Sequence, residues 1–246
     1  MTVEFLDLGV GTTRTPYEEA WELQRRIHAE VVAGDRPSTV LLLEHDPVYT
    51  AGKRTEDHER PLDGTPVIDV DRGGKITWHG PGQLVGYPIV TLDDQVKVVD
   101  YVRRLEEALI RTANSFGLHT GRIPGRSGVW LPADAGGPER KLAAIGIRVA
   151  SNTTMHGFSF NVNPDLNWYN RIIACGIADA GQTSLAAELD QVITLTEVTE
   201  RVRPHLVELL SWQPYESSPD VAEPRPEPGT KRRPEVRLGV NLAAAR

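Results

Sequence analysis

Cysteine is almost missing from this chain: 246 residues contain one, Cys175. A lone thiol excludes a disulfide framework within the chain and any cysteine-rich zinc site. Lysine is also scarce, with Lys53, Lys75, Lys97, Lys141 and Lys231 among 27 cationic residues, so each one merits inspection. No apolar run approaches the roughly 20 residues that cross a bilayer, and the N-terminus lacks a basic-then-apolar leader pattern. No membrane association and a cytoplasmic location are expected. Excess positive charge is absent too: the formal net charge is −7. A global field that attracts nucleic acid is thereby excluded, and an acidic partner would need a local basic patch.

Glycine, by contrast, is concentrated. Five of 22 glycines fall within residues 72–88, Arg-Gly-Gly-Lys-Ile-Thr-Trp-His-Gly-Pro-Gly-Gln-Leu-Val-Gly-Tyr-Pro, interleaved with Arg72, Lys75, Thr77, His79 and Gln83. Such a cluster implies unusual backbone angles or close approach of the backbone to something. With titratable side chains in the gaps, it reads as a ligand-binding loop; an ordinary turn between strands is the plainer alternative.

The length fits one sizeable domain over residues 1–216. Residues 217–246, rich in Pro, Arg and Glu, read as a disordered tail. Residues 3–8 alternate as a strand, and Thr15-Pro16-Tyr17-Glu18 reads as a helix start with Thr15 as the cap. Tyr17, Ala20, Leu23, Ile27 and Val31 follow at helical spacing up to Gly34. Residues 39–44 form a short apolar strand, 47–52 a turn or short strand, and 53–64 an exposed polar loop. After the glycine-rich stretch, Val98, Val102, Leu105, Leu109, Thr112 and Phe116 mark the clearest amphipathic helix. Residues 128–131, 142–150 and 155–162 are β segments, with the loop 132–138 suggesting a hairpin. Residues 194–212 are helical, and Pro204 is expected to kink or divide them. Helices and strands do not alternate regularly, so an α+β domain with a mostly antiparallel sheet is expected.

Three places offer chemistry. Cys175, followed by Gly176, sits among apolar residues; an inert buried thiol is the simplest reading of that context. The glycine permits a sharp turn whose backbone N–H groups would stabilise a thiolate and then an oxyanion. A nucleophilic thiol also needs a cation or base, for which Lys141, His79 and His156 are candidates. Lys141 opens a small-residue strand where it would be partly desolvated; a strand-end lysine reaching solvent is the bland alternative. His156 is equally readable as a core histidine. Ala143, Ala144, Gly146 and Gly157 would leave an apolar groove suited to an acyl chain.

Taken in order, these segments resemble the lipoyl(octanoyl) transferases of protein lipoylation. The match rests on residues 72–88, Gly128-Val-Trp130, 141–149, 154–166 and Cys175-Gly-Ile177, with Glu44-His45 and Pro47-Val-Tyr-Thr50. It covers roughly residues 3–210. The resemblance implies an α+β, biotin/lipoate ligase-like domain whose mostly antiparallel sheet is flanked by helices. It implies transfer of an octanoyl or lipoyl group from octanoyl-acyl carrier protein to a lysine of lipoyl domains. The acceptors it implies are the lipoyl domains of 2-oxoacid dehydrogenases and the glycine cleavage H protein. By the same resemblance Cys175 is the nucleophile and Lys141 its acid/base partner; His156, read from its own segment, is a possible auxiliary. Arg72, Gly73, Gly74, Lys75, Ile76, Thr77, Trp78, His79, Ala144, Ile145, Gly146, Gly157, Phe158 and Ser159 map onto substrate-contacting segments. No metal, no cofactor and a monomer are expected.

The chain departs from the family pattern at Ala174, where proline is usual, and at Ser159 and Phe160. Two rival readings remain: an ATP-dependent lipoate or biotin ligase, whose glycine-rich loop would contact phosphates, and a non-catalytic carrier-protein binding module. A cysteine protease lacks the accompanying His and Asn signature.

Overall fold

Alternating side chains in the strands build two cores on opposite faces of one sheet. In the computed structural model, which describes residues 3–135, 137–176 and 180–221, the chain opens with β1 (Glu4–Asp7), α1 (Tyr17–Ala33), β2 (Thr39–Leu43) and β3 (Val48–Ala51). Next come β4 (Val67–Asp69), β5 (Thr77–His79), β6 (Gln83–Ile89) and α2 (Val98–Ser115). They are followed by β7 (Gly121–Ile123), β8 (Arg126–Leu131), β9 (Arg140–Ala150) and β10 (Thr153–Asn161). The last elements are β11 (Gly181–Gln182), α3 (Leu185–Leu189) and α4 (Leu195–Leu209). Ile177 and the tail from residue 222 onward lie outside the described residues.

The main sheet runs β1, β2, β6, β10, β9, β8, β7, with β11 added beside β9; a small sheet has the order β4, β3, β5. Only the β1–β2, β3–β4 and β9–β11 pairs are parallel, so the sheet is mostly antiparallel, as the sequence indicates. On β2, Val40 and Leu42 join Tyr101, Leu105 and Leu109 of α2 and Val202 and Leu206 of α4. Leu41 and Leu43 point the other way, to Ala20, Ile27 and Val31 of α1. The period of two thus sandwiches the sheet between α1 and the α2/α4 pair. No described helix is long and apolar enough to cross a membrane.

Four local expectations change. Thr15 does not cap α1: its N–H donates to Glu44 O and its carbonyl accepts from His45 Nδ1, leaving Pro16 at the cap without a side-chain bond. Pro204 does not divide α4, which is one helix across it. Pro204 and Glu200 are exposed, so water can serve the carbonyl that loses its intrahelical donor. The polar loop 53–64 is not wholly exposed: it contains a 3₁₀ turn, Asp57–Glu59, whose Glu59 is buried. Finally, part of the expected tail is folded against the domain. Ser218 N–H and Oγ bond the Glu107 carboxylate, and Val221 N–H donates to Arg122 O at 2.7 Å.

β8 pairs with β9 as Val129↔Ala143 and then Trp130↔Lys141, skipping Leu142. A bulge of this kind flips the phase of the strand. Leu142 and Ala143 both enter the α2-side core, whereas Lys141 and Ala144 share the opposite face.

Candidate active site

Small residues on adjacent strands make the floor of the site. Gly146 lies opposite Gly157, and Ala144 opposite Ser159, on the β9–β10 ladder. These four residues, with Ile145 and Phe158, line a cavity of about 270 Å³ on the α1 side of the sheet. Gly157 has to be glycine because a Cβ would stand 2.2 Å from Gly86 O of the neighbouring strand.

The glycine-rich loop forms a wall across this floor. Gly73 N–H donates to Ile147 O of β9 at 2.8 Å. Arg72 is buried and fans its guanidinium onto Thr50 O, Thr50 Oγ1, Gly73 O and Lys75 O at 2.8–3.1 Å. Arg72 therefore ties the loop to β3 by two donor bonds and braces the loop's own carbonyls by two more, while also lining the cavity. Beyond the loop the strand alternation is visible in function: Lys75, Thr77 and His79 face the cavity. Ile76 and Trp78 turn away into a separate core with Tyr49, Tyr169 and Ala174. Of the sixteen residues singled out from the sequence for catalysis and substrate contact, Gly73, Ile76 and Trp78 do not line the cavity and the others do.

Cys175 reaches the cavity from a short 3₁₀ turn, Ala174–Gly176, in which it adopts left-handed angles (φ 57, ψ 14). Its N–H donates to Ile76 O at 2.9 Å, and Gly176 N–H donates to Ile173 O at 3.0 Å. The expected oxyanion donors at Cys175 and Gly176 are thus already committed to holding the turn, and they do not face a substrate as free N–H groups. Gly176 is pressed against the Lys75 side chain, since a Cβ there would meet Lys75 Cδ at 2.3 Å. Lys75 in turn bonds Glu59 at 2.6 Å and Glu56 at 2.9 Å, and these carboxylates hold it as an ammonium.

Lys141 is 3% exposed and lines the same cavity as Cys175. No carboxylate among the described residues forms an ion pair with it. Its Nζ sits instead 4.6 Å from the centre of the Trp130 ring.

The two histidines proposed as alternative bases are also at the cavity. His79 Nδ1 bonds Gln83 Oε1 at 2.7 Å, and burial lowers its pKa well below the ordinary value. His156 donates through Nε2 to Asp71 at 2.8 Å, and burial lowers its pKa to about 4. Both imidazoles are therefore neutral at pH 7, and neither supplies a positive charge for a thiolate. His156 holds left-handed angles (φ 57) inside β10, with its N–H donated to Gln24 of α1.

Tyr17, Tyr87, Arg54, Gly125, Arg126 and Ser127 complete the lining, and the sequence does not mark them as substrate contacts. Tyr17 and Tyr87 carry the periodicity of core residues, which reports burial but not whether a void lies beside the ring. Burial raises the Tyr17 pKa to about 12, keeping its phenol protonated.

The family model for the lipoyl protein ligase A/B catalytic domain matches residues 16–207. An octanoyltransferase of Cutibacterium acnes is 58% identical over 216 residues, covering 85% of this chain and 79% of the relative. One of Salinispora tropica is 64% identical over 194 residues, covering 79% and 91%. Among solved structures, a bipartite lipoate protein ligase of Thermoplasma acidophilum superposes with a TM-score of 0.60 at 15% identity, covering 85% of this chain and 83% of that one. A lipoate-protein ligase A bound with ATP gives 0.55 at 15% identity, covering 90% and 87%. At these identities the structures speak for the fold alone. The family model spans most of the chain and the relatives exceed half identity, so the chain belongs to the lipoyl protein ligase A/B catalytic-domain family, among its octanoyltransferases.

Proposed function

We propose that the protein moves an octanoyl or lipoyl group from an acyl carrier protein to a lysine of a lipoyl domain, through a thioester on Cys175. The observation that carries this reading is that Cys175 and the buried Lys141 open onto one cavity floored by Ala144, Gly146 and Gly157. Of the two lysines there, Lys75 is locked to Glu56 and Glu59, which leaves Lys141 to trade a proton with the thiol.

In the first step Lys141 takes the proton from Cys175 Sγ, and the thiolate attacks the carrier thioester carbonyl. The carbonyl carbon's bond to the carrier sulfur breaks, and Lys141 returns the proton to that sulfur. In the second step the acceptor amine attacks the Cys175 thioester while Lys141 removes a proton from its nitrogen. The bond to Sγ breaks, Sγ receives the proton, and an amide remains. One thioester replaces another in the first step and an amide replaces a thioester in the second, so neither step requires ATP. The lipoyl domains of 2-oxoacid dehydrogenases and the glycine cleavage H protein are the acceptors this reading names.

Mixing the enzyme with octanoyl-acyl carrier protein, without ATP, tests it by intact-mass analysis. One added octanoyl group is expected on the wild type and none on Cys175→Ser. An unchanged wild-type mass, together with ATP-dependent transfer of free octanoate, would instead establish a ligase.

A further inference from the structure

We propose that Trp130 is a positioning residue for Lys141, and that the β8–β9 bulge is what brings the two together. The proposal rests on Lys141 carrying the proton between Cys175 and the substrates.

Lys141 and Trp130 are direct cross-strand partners, and the lysine Nζ lies 4.6 Å from the ring centre. That pairing depends on the skipped Leu142. Continuing the register from Val129↔Ala143 without a bulge would set Trp130 opposite Leu142 and send Lys141 to the α2-side core. The phase of Ala144 and Gly146, which face the cavity, likewise assigns Lys141 to the wrong face unless the bulge intervenes.

The bulge is itself held. Gly128, one residue before Val129, has φ +107 and donates its N–H to Glu106 Oε1 at 2.9 Å. A Cβ at Gly128 would stand 2.3 Å from Ala143 O and 3.6 Å from Lys141 Cε, so only glycine lets β8 approach there. Glu106 is fully buried on α2 and also pairs with Arg122. Trp130 is fully buried too, with its Nε1–H on Ser127 O at 3.3 Å.

An indole face attracts an ammonium but accepts no proton from it. It therefore fixes the Nζ without competing for the proton that catalysis must move. A carboxylate in the same place would lock the ammonium, as Glu56 and Glu59 do for Lys75. The remaining charged groups around the pair are consistent with this division. Arg126 lies 5.6 Å from the same ring and pairs with Glu139, and Arg140 pairs with Glu188 and Asp134. Across the cavity stand Arg54, the tethered Arg72 and Cys175.

Single-turnover acylation by octanoyl-acyl carrier protein, followed by intact mass, is the test. Trp130→Leu should lower the acylation rate constant about 10- to 100-fold with the carrier concentration dependence unchanged, and Trp130→Phe, which keeps a π face, should recover most of it. In a Lys141→Ala background neither Trp130 substitution should slow the residual rate further, because the indole acts only through the lysine. An equal slowing in both backgrounds, a Phe variant as slow as Leu, or an undiminished Leu variant would overturn the proposal. If Trp130→Leu does not fold, the Phe variant in the two backgrounds decides alone: a loss of a few fold that disappears with Lys141→Ala supports the proposal, and one that persists, or no loss, overturns it. Wild-type acylation by Lys141→Ala itself would sink the Cys/Lys mechanism, an outcome distinguishable from failure of the Trp130 role.

Discussion

Gly146 and Gly157 stand opposite each other on the β9–β10 ladder, and each is kept bare by a different neighbour. A Cβ at Gly157 would meet Gly86 O at 2.2 Å and Pro88 Cδ at 2.6 Å, both belonging to β6. A Cβ at Gly146 would meet Arg72 Cδ at 3.0 Å and Gly73 O at 3.1 Å, both in the glycine-rich loop. Two consequences separate. Gly157→Ala has to push two strands apart and should destabilise the fold by about 1–3 kcal/mol, read as a lower urea midpoint. Gly146→Ala should leave the strands paired, displace the loop, and narrow the groove, shifting acylation toward chains shorter than octanoyl. Competition between hexanoyl and octanoyl donors measures this; an unchanged ratio would mean that the acyl chain does not lie on these glycines.

Buried histidines make stability depend on acid in a predictable direction. Burial lowers both His45 and His156 to about 4, against an ordinary value of 6.5. In the unfolded chain these groups bind protons below about 6.5, whereas the folded protein resists doing so until about 4. The unfolded state therefore holds more protons between those limits, and stability falls as pH drops from about 6.5 to 4. Each imidazole contributes up to about 3 kcal/mol over that window, at about 1.4 kcal/mol per unit of pKa. Thermal midpoints across pH 4–7 should show the slope, and His156→Gln should flatten it. An identical slope in that variant would assign the acid sensitivity elsewhere.

Much of this was legible in the sequence, and the parts that were not share a cause. Periodicity located α2 and β2, and the small residues Ala144, Gly146 and Gly157 announced a groove, because one-dimensional spacing is enough for a regular element. The bulge at Leu142 is a change of phase that leaves no mark in composition, so the strand containing Lys141 read as uniform. The turn at Cys175 promised free N–H donors; only the fold shows that Ile76 O claims one and Ile173 O the other. The loop 53–64 read as exposed because it is polar. It places Glu59 under Lys75, a pairing across 16 residues that spacing alone does not display. The short strands β7 and β11 have too few residues for alternation to register.

Pro204 offers a stabilising substitution away from the site. It sits in the interior of α4, on the exposed side of a helix that is continuous through it. Proline in a helix interior costs about 3 kcal/mol relative to alanine, and here it deprives Glu200 O of a partner. Pro204→Ala should raise stability by about 1–3 kcal/mol, with acylation unchanged. A fall in the urea midpoint would indicate that the ring's packing outweighs the lost hydrogen bond.

The segment at 217–221 provides the last expectation. Glu107 and Arg122 are almost wholly buried, and each spends part of its bonding capacity on this segment. Ser218 N–H and Oγ donate to Glu107 at 3.0 and 2.8 Å, and Arg122 Nη1 donates to Ser218 O at 2.9 Å. Val221 closes over Gly121, where a Cβ would touch Val221 Cγ2 at 2.8 Å. A chain ending after Glu216 leaves these charged groups short of partners, whereas one ending after Val221 keeps them satisfied. Hydrogen bonds to charged groups are worth about 1.5–3 kcal/mol each, so the shorter chain should lose several kcal/mol relative to the longer. Urea unfolding of the two truncated chains measures the difference directly. Equal midpoints would mean that water replaces the segment at Glu107 and Arg122 without penalty, and that the folded domain ends where the sequence composition first changes.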